Sequence, residues 1–171
     1  MKSAALITLL LLFSFRVFAQ DPEFPKGEFI MHLNLHSGMV TTFNSNTPDL
    51  YTGGVQLVPQ YTFITHLMRG GVIADAFYTN KSVQGAFGPT LSIKLKTLMA
   101  QPYGSLGNIN LSIDHLWGTG RQRLVGGGLN ADIANLFMLG ISLQKDYGLH
   151  NWWLQSNLAF RISKKKKINP I

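Results

Sequence analysis

Across Glu28 to His36, Phe29, Met31, Leu33 and Leu35 alternate with His32, Asn34 and His36. A two-residue period puts one set on each face of a strand. The alternation recurs. Phe87, Leu91, Ile93 and Leu95 oppose Gly88, Thr90, Ser92, Lys94 and Lys96, and Ile109, Leu111 and Ile113 oppose Asn108, Asn110, Ser112 and Asp114. Phe137, Leu139, Ile141 and Leu143 oppose Gly140, Ser142 and Gln144, while Trp152, Leu154, Leu158 and Phe160 oppose Gln155, Asn157 and Arg161. Weaker strands fit at about Gly53 to Thr62, Leu67 to Tyr78 and Leu124 to Ile133. No segment after Gln20 holds a 3.6-residue apolar period, so the pattern predicts an all-β chain of about eight strands, each of about 9 to 12 residues.

Short turn-forming stretches separate these strands: Ser45 to Asp49, Thr79 to Ser82, Gln101 to Gly104, Gly118 to Arg121, Ala134-Asn135 and Asp146 to Gly148. Each is short enough for a hairpin. Consecutive hairpins make an antiparallel up-and-down meander, and closing it into a barrel removes both exposed edges. Pro59 and Pro89 fall inside proposed strands, where each removes a ladder donor and implies a bulge.

Alternation does not say which face looks outward, but composition does. Charged residues make up 13% of the 171 residues, against about 25% in soluble domains, and the mean hydropathy is +0.11. The polar faces carry Gly, Asn, Ser, Thr and Gln rather than Lys and Glu, which suits a barrel interior whose apolar outside meets lipid. Phe29, Tyr61, Phe63, Tyr78, Phe87, Trp117, Trp152 and Phe160 near strand ends suit interfacial girdles. The absence of Cys excludes a disulfide-stapled domain, a Cys-based zinc module and a lipoprotein anchor.

The ends read as separate segments. Met1-Lys2-Ser3 is basic, Ala4 to Phe15 is apolar, and Val17-Phe18-Ala19 offers a cleavage site, so residues 1–19 are expected to be a cleaved signal peptide. That run is too short to span a bilayer as helix. Residues 20–27 are expected to form a short N-terminal segment, 28–163 the barrel, and 164–171 a basic tail. The formal charge of +7 comes largely from Lys2, Arg16 and Lys164 to Lys167, which leaves a nearly neutral body and excludes a nucleic-acid partner.

With a signal peptide and alternation over roughly Glu28 to Ser163, the chain resembles the small eight-stranded outer-membrane barrels of the OmpA-transmembrane, OmpX and OmpW-like group. The resemblance implies a bacterial outer-membrane protein with both termini in the periplasm.

Candidate chemistry is sparse. Ser112, Asp114 and His115 invite comparison with the lipid A deacylases, yet residues two apart share a face, so Ser112 and Asp114 point together and His115 points away. His32 and His36 share a face, but about 13 Å should separate their Cα atoms, too far for one ion. Gly126-Gly127-Gly128 lacks the helix and the Lys-Ser/Thr of a phosphate loop and implies a tight bend or close packing. No catalytic, metal or cofactor site is expected. Strand polarity instead assembles an interior charge network, with Glu28, Arg69, Lys94, Lys96, Asp132 and Arg161 toward the periplasmic end and Asp75 and Asp114 toward the outer end. Charges in so narrow a bore must be paired or wet. The expected function is therefore a non-enzymatic structural or surface-interaction barrel with a closed polar interior. Its partners are outer-membrane lipid and a protein or surface ligand held by the longest connection, Ser37 to Tyr51. The alternatives are a lipid-modifying enzyme and a conduit for small apolar molecules.

Overall fold

A computed structural model describes residues 27–43, 48–100, 104–133 and 136–162. They form eight antiparallel strands: β1 (Phe29–Thr41), β2 (Leu50–Ile64), β3 (Met68–Thr79), β4 (Ser82–Ala100), β5 (Gly104–Gly118), β6 (Arg123–Ile133), β7 (Phe137–Asp146) and β8 (Trp152–Arg161). Each pairs with the next, and β8 pairs with β1, so the sheet is a closed up-and-down barrel. The expected leader, the segment before Gly27, the basic tail and the turns expected at 101–103 and Ala134-Asn135 lie outside the described residues, as does most of that at Ser45 to Asp49.

Several strands exceed the expected length, and β4 reaches 19 residues. The expected outer connection from Ser37 to Tyr51 is shorter, because Ser37, Gly38, Met39 and Val40 pair with Gly53, Thr52, Tyr51 and Leu50. Met39 and Val40 carry the alternation onward, one outward and one inward. At the β3–β4 hairpin, Asn80 and Lys81 take φ of 46° and 60°, as a two-residue turn matched to strand twist requires.

The prolines do not create the expected bulges. The β2–β3 ladder passes from Leu57↔Ala74 to Gln60↔Gly71, and the β4–β5 ladder from Phe87↔Trp117 to Thr90↔Asp114, with unchanged register. A strand residue bonds one neighbour at a time, so each proline interrupts one ladder and leaves the other intact. The register shifts fall elsewhere, at Thr62/Ile64, Lys94/Lys96 and Leu98/Met99.

The outer wall is apolar. Phe29, Leu35, Val55, Leu57, Val72, Phe87, Ile113, Leu129, Ile141 and Leu154 are among the large side chains it exposes. Phe29, Tyr61, Phe63 and Phe137 ring the end near the termini, while Tyr51, Tyr78, Trp117 and Tyr147 ring the opposite, loop end. In water, an apolar surface on this scale would drive association. In a bilayer it is the matching solvent, and closure leaves every strand's backbone groups paired. The fold is that of a transmembrane β-barrel.

The interior has two halves. Toward the termini it is largely polar and charged, with Ile30, Val58, Ile73 and Ala159 buried among the polar groups. Toward the loop end Val40, Phe77, Leu116, Leu124 and Trp153 pack into an apolar layer, so the interior is not polar throughout as expected. These residues break the simple alternation, most visibly at Leu116-Trp117 and Trp152-Trp153, where one residue of each apolar pair turns inward.

Candidate functional site

The densest group of charged side chains among the described residues that face one another lies inside the barrel at its terminus end. Glu28 immediately precedes β1 and points inward because Phe29 after it takes the outer face. Its Oε2 accepts a hydrogen bond from Arg69 Nη2 at 3.1 Å, and its Oε1 accepts one from Arg161 Nη2. Arg69 Nε also donates to Thr62 Oγ1, at 3.3 Å. Asp132 on β6 faces both guanidinium groups electrostatically. One carboxylate thus ties β3 and β8 to the start of β1, and two acids balance two bases in a layer where Glu28, Arg69 and Asp132 are all buried.

Nearer the middle, a hydrogen-bonded chain crosses three strands. Asn34 Nδ2 donates to Gln56 Oε1 at 2.8 Å, Gln56 Nε2 donates to Asp75 Oδ2 at 3.1 Å, and Asp75 Oδ1 lies 2.9 Å from His36 Nε2. Gly54 makes this possible: a Cβ there would lie 2.8 Å from His36 Nε2 and against the Ala76 carbonyl. Across the bore, Asp114 accepts from Thr90 Oγ1 and also engages Gln144.

The eight charges expected inside therefore divide. Glu28, Arg69, Asp132 and Arg161 come together. Asp75 and Asp114 stay apart, each held by neutral or imidazole partners. Lys94 is half-buried. Lys96 does not face the interior, because the register shift between Lys94 and Lys96 sets it opposite the outward Ile109, and it is exposed.

Ser112 and Asp114 face the interior, whereas His115 faces outward, with its Nε2 2.7 Å from Tyr147 Oη and its ring 4.4 Å from that of Trp117. The three do not converge. The glycine run is an instance of close packing, not a bend: β6 continues through it, and a Cβ on Gly126, Gly127 or Gly128 would strike the carbonyl of Leu143, Ser112 or Ile141. No group of His, Asp and Glu able to hold a metal ion occurs among the described residues.

Space inside is scarce. A polar-lined cavity of about 50 Å³ lies among Asn34, Gln56, Thr90, Asp114, Ser142 and Asn157, far below the roughly 300 Å³ at which small-molecule sites begin. Above it the apolar layer seals the bore. Larger hollows, of about 580 and 540 Å³, lie on the outer wall, where small residues such as Ala74, Ala76 and Gly127 sit among large ones. Alternation located the charges, but not this seal, since its members occupy positions of the polar face.

No protein-family model matches the chain, and no curated protein matches it. Among solved structures, the chain is similar to a protein described under "De novo design of transmembrane beta-barrels", with 10% identity, a TM-score of 0.49, and coverage of 82% of this chain and 99% of that one. It is also similar to the de novo designed TMB2.3, solved by solution NMR, with 17% identity, a TM-score of 0.46, and coverage of 85% of this chain and 99% of that one.

Proposed function

We propose that the protein is a small barrel of the bacterial outer membrane, exported by a cleaved leader and akin to the OmpA-transmembrane, OmpX and OmpW-like group. In this reading it acts as a non-enzymatic structural or surface-interaction element. The closed interior carries the proposal. Phe77 and Trp153 pack with Val40, Leu116 and Leu124 across the bore, a paired charge layer lies beneath, and the space between is too small for a substrate. A conduit needs a path that this filling denies. A hydrolase needs a nucleophile and base within reach, and the Ser112 and His115 side chains face opposite sides of β5. Recognition then falls to the loop end, where the connection from β1 to β2 and the rims of the other hairpins meet the outside.

Planar-bilayer recording with the folded protein tests closure, and no conductance above the bilayer baseline is expected. Steady unitary currents would replace this reading with the conduit. Lipid extracts from cells with and without the protein are expected to match; a deacylated or otherwise altered lipid species would replace it with the enzyme.

A further inference from the structure

Charge on the outer wall is distributed unevenly in a way that barrel closure does not require. Of the six carboxylates among the described residues, Glu28, Asp75, Asp114, Asp132 and Asp146 are buried, and only Asp49, on the β1–β2 connection, is exposed. Cations are not withdrawn in the same way. Arg121 and Arg123 are exposed at the loop end of β5 and β6, and Lys145 lies close by on the outer face of β7.

Register assembles these residues. Trp117 pairs with Arg123, and Tyr147 N donates to Arg123 O at 3.0 Å, which makes one row. One step lower, His115, Val125, Lys145 and Trp152 follow one another across β5 to β8. Lys145 Nζ sits 4.9 Å from the Trp152 ring centroid and donates to His150 O at 3.0 Å. A hollow of about 510 Å³ opens between Trp117, Arg121, Arg123, Tyr147 and Gly148. Lower on the same three strands is the apolar hollow of about 540 Å³ lined by Ile113, Gly127, Leu129, Ile141 and Leu143.

The geometry points to a binding site for the phosphate headgroup of an anionic membrane lipid on the outer wall of β5 to β7. Arg121 and Arg123 contact the phosphate, Lys145 borders it, and Trp117 and Tyr147 flank it. Aromatic girdles lie at headgroup level, so the cations stand where lipid phosphates stand and no carboxylate on these strands competes outside. Guanidinium groups bind phosphate oxygens through paired bonds. The apolar hollow beneath supplies acyl-chain contact, which a free anion in water would not use. The inference rests on the membrane-embedded reading of the barrel.

Trp117 and Trp152 on the outer wall are built-in reporters. The full chain, folded in phosphatidylcholine vesicles, is titrated with acyl-brominated phosphatidic acid or acyl-brominated phosphatidylcholine at equal mole fraction while tryptophan fluorescence is read. Phosphatidic acid is expected to quench as though enriched about fivefold at the wall, the equivalent of about one cation's attraction. The enrichment should vanish in the Arg121→Gln/Arg123→Gln/Lys145→Gln variant and persist in Lys96→Gln at the opposite end. Heat-modified gel mobility checks that each variant folds. If the triple variant does not fold, Arg121→Gln and Arg123→Gln singly should each reduce the enrichment. Equal quenching by the two lipids, or enrichment untouched by these substitutions, overturns the site. Displacement by millimolar inorganic phosphate would assign the cations to a soluble anion and also overturn it. Absence of quenching by either lipid would overturn the membrane reading itself.

Discussion

Phe77 on β3 and Trp153 on β8 meet edge to face inside the barrel, with ring centroids 5.2 Å apart and planes at 85°. Both are almost fully buried, at 1% and 2% exposure. The two strands are not neighbours in the sheet, so the contact spans the bore and joins opposite walls.

Truncating either ring should therefore be costly. Phe77→Ala and Trp153→Ala are each expected to lose about 3 to 5 kcal/mol of unfolding free energy. The double variant should recover about 0.5 to 1.5 kcal/mol relative to the sum, which is the worth of the ring pair itself. Urea unfolding in vesicles measures all three. Purely additive losses would mean that the rings do not touch.

The terminus end makes a second, electrostatic cycle. Glu28→Gln should lose about 3 to 5 kcal/mol, since it leaves Arg69 and Arg161 buried without the carboxylate they share. Hydration at the barrel's end lowers that figure. Arg161→Gln should lose less, because Arg69 continues to pair with Glu28, and the double variant should be less harmed than the sum. Additive losses would show that Glu28 and Arg161 act independently.

The β3–β4 turn offers a change in the opposite direction. Lys81 holds φ of 60°, a region where an L side chain crowds its own backbone and glycine does not. Lys81→Gly completes an Asn-Gly pair suited to this turn and should raise stability by about 1 kcal/mol. A lowered unfolding midpoint would contradict the turn's assignment.

How much of this was legible in the chain follows from which forces act locally. The outward sets such as Phe29, Leu33 and Leu35 repeat strictly because a bilayer imposes one chemistry on every outward position, and closure follows from the short turns. Glu28 and Arg161 lie at the terminus ends of β1 and β8 on the polar face, so strand order alone brought them toward one another. The apolar layer was not legible, because Val40, Phe77, Leu116, Leu124 and Trp153 are spread over five strands and only the three-dimensional bore shows that they share one level. Lys96 was misplaced for a related reason: a single extra residue inverts the faces beyond it, and nothing in the run Lys94-Leu95-Lys96 announces it. The cationic hollow is not visible in the sequence, because Arg121, Arg123 and Lys145 become neighbours only through register.

Which face of the barrel meets lipid is tested by one substitution. Leu33 lies in the outward row of β1, and Asn34 beside it points inward to Gln56. Replacing Leu33 by Arg should cost about 2 to 4 kcal/mol of unfolding free energy in vesicles if the site lies near the midplane. A Leu33→Arg protein that folds into lipid as stably as the wild type would contradict the assignment of inside and outside.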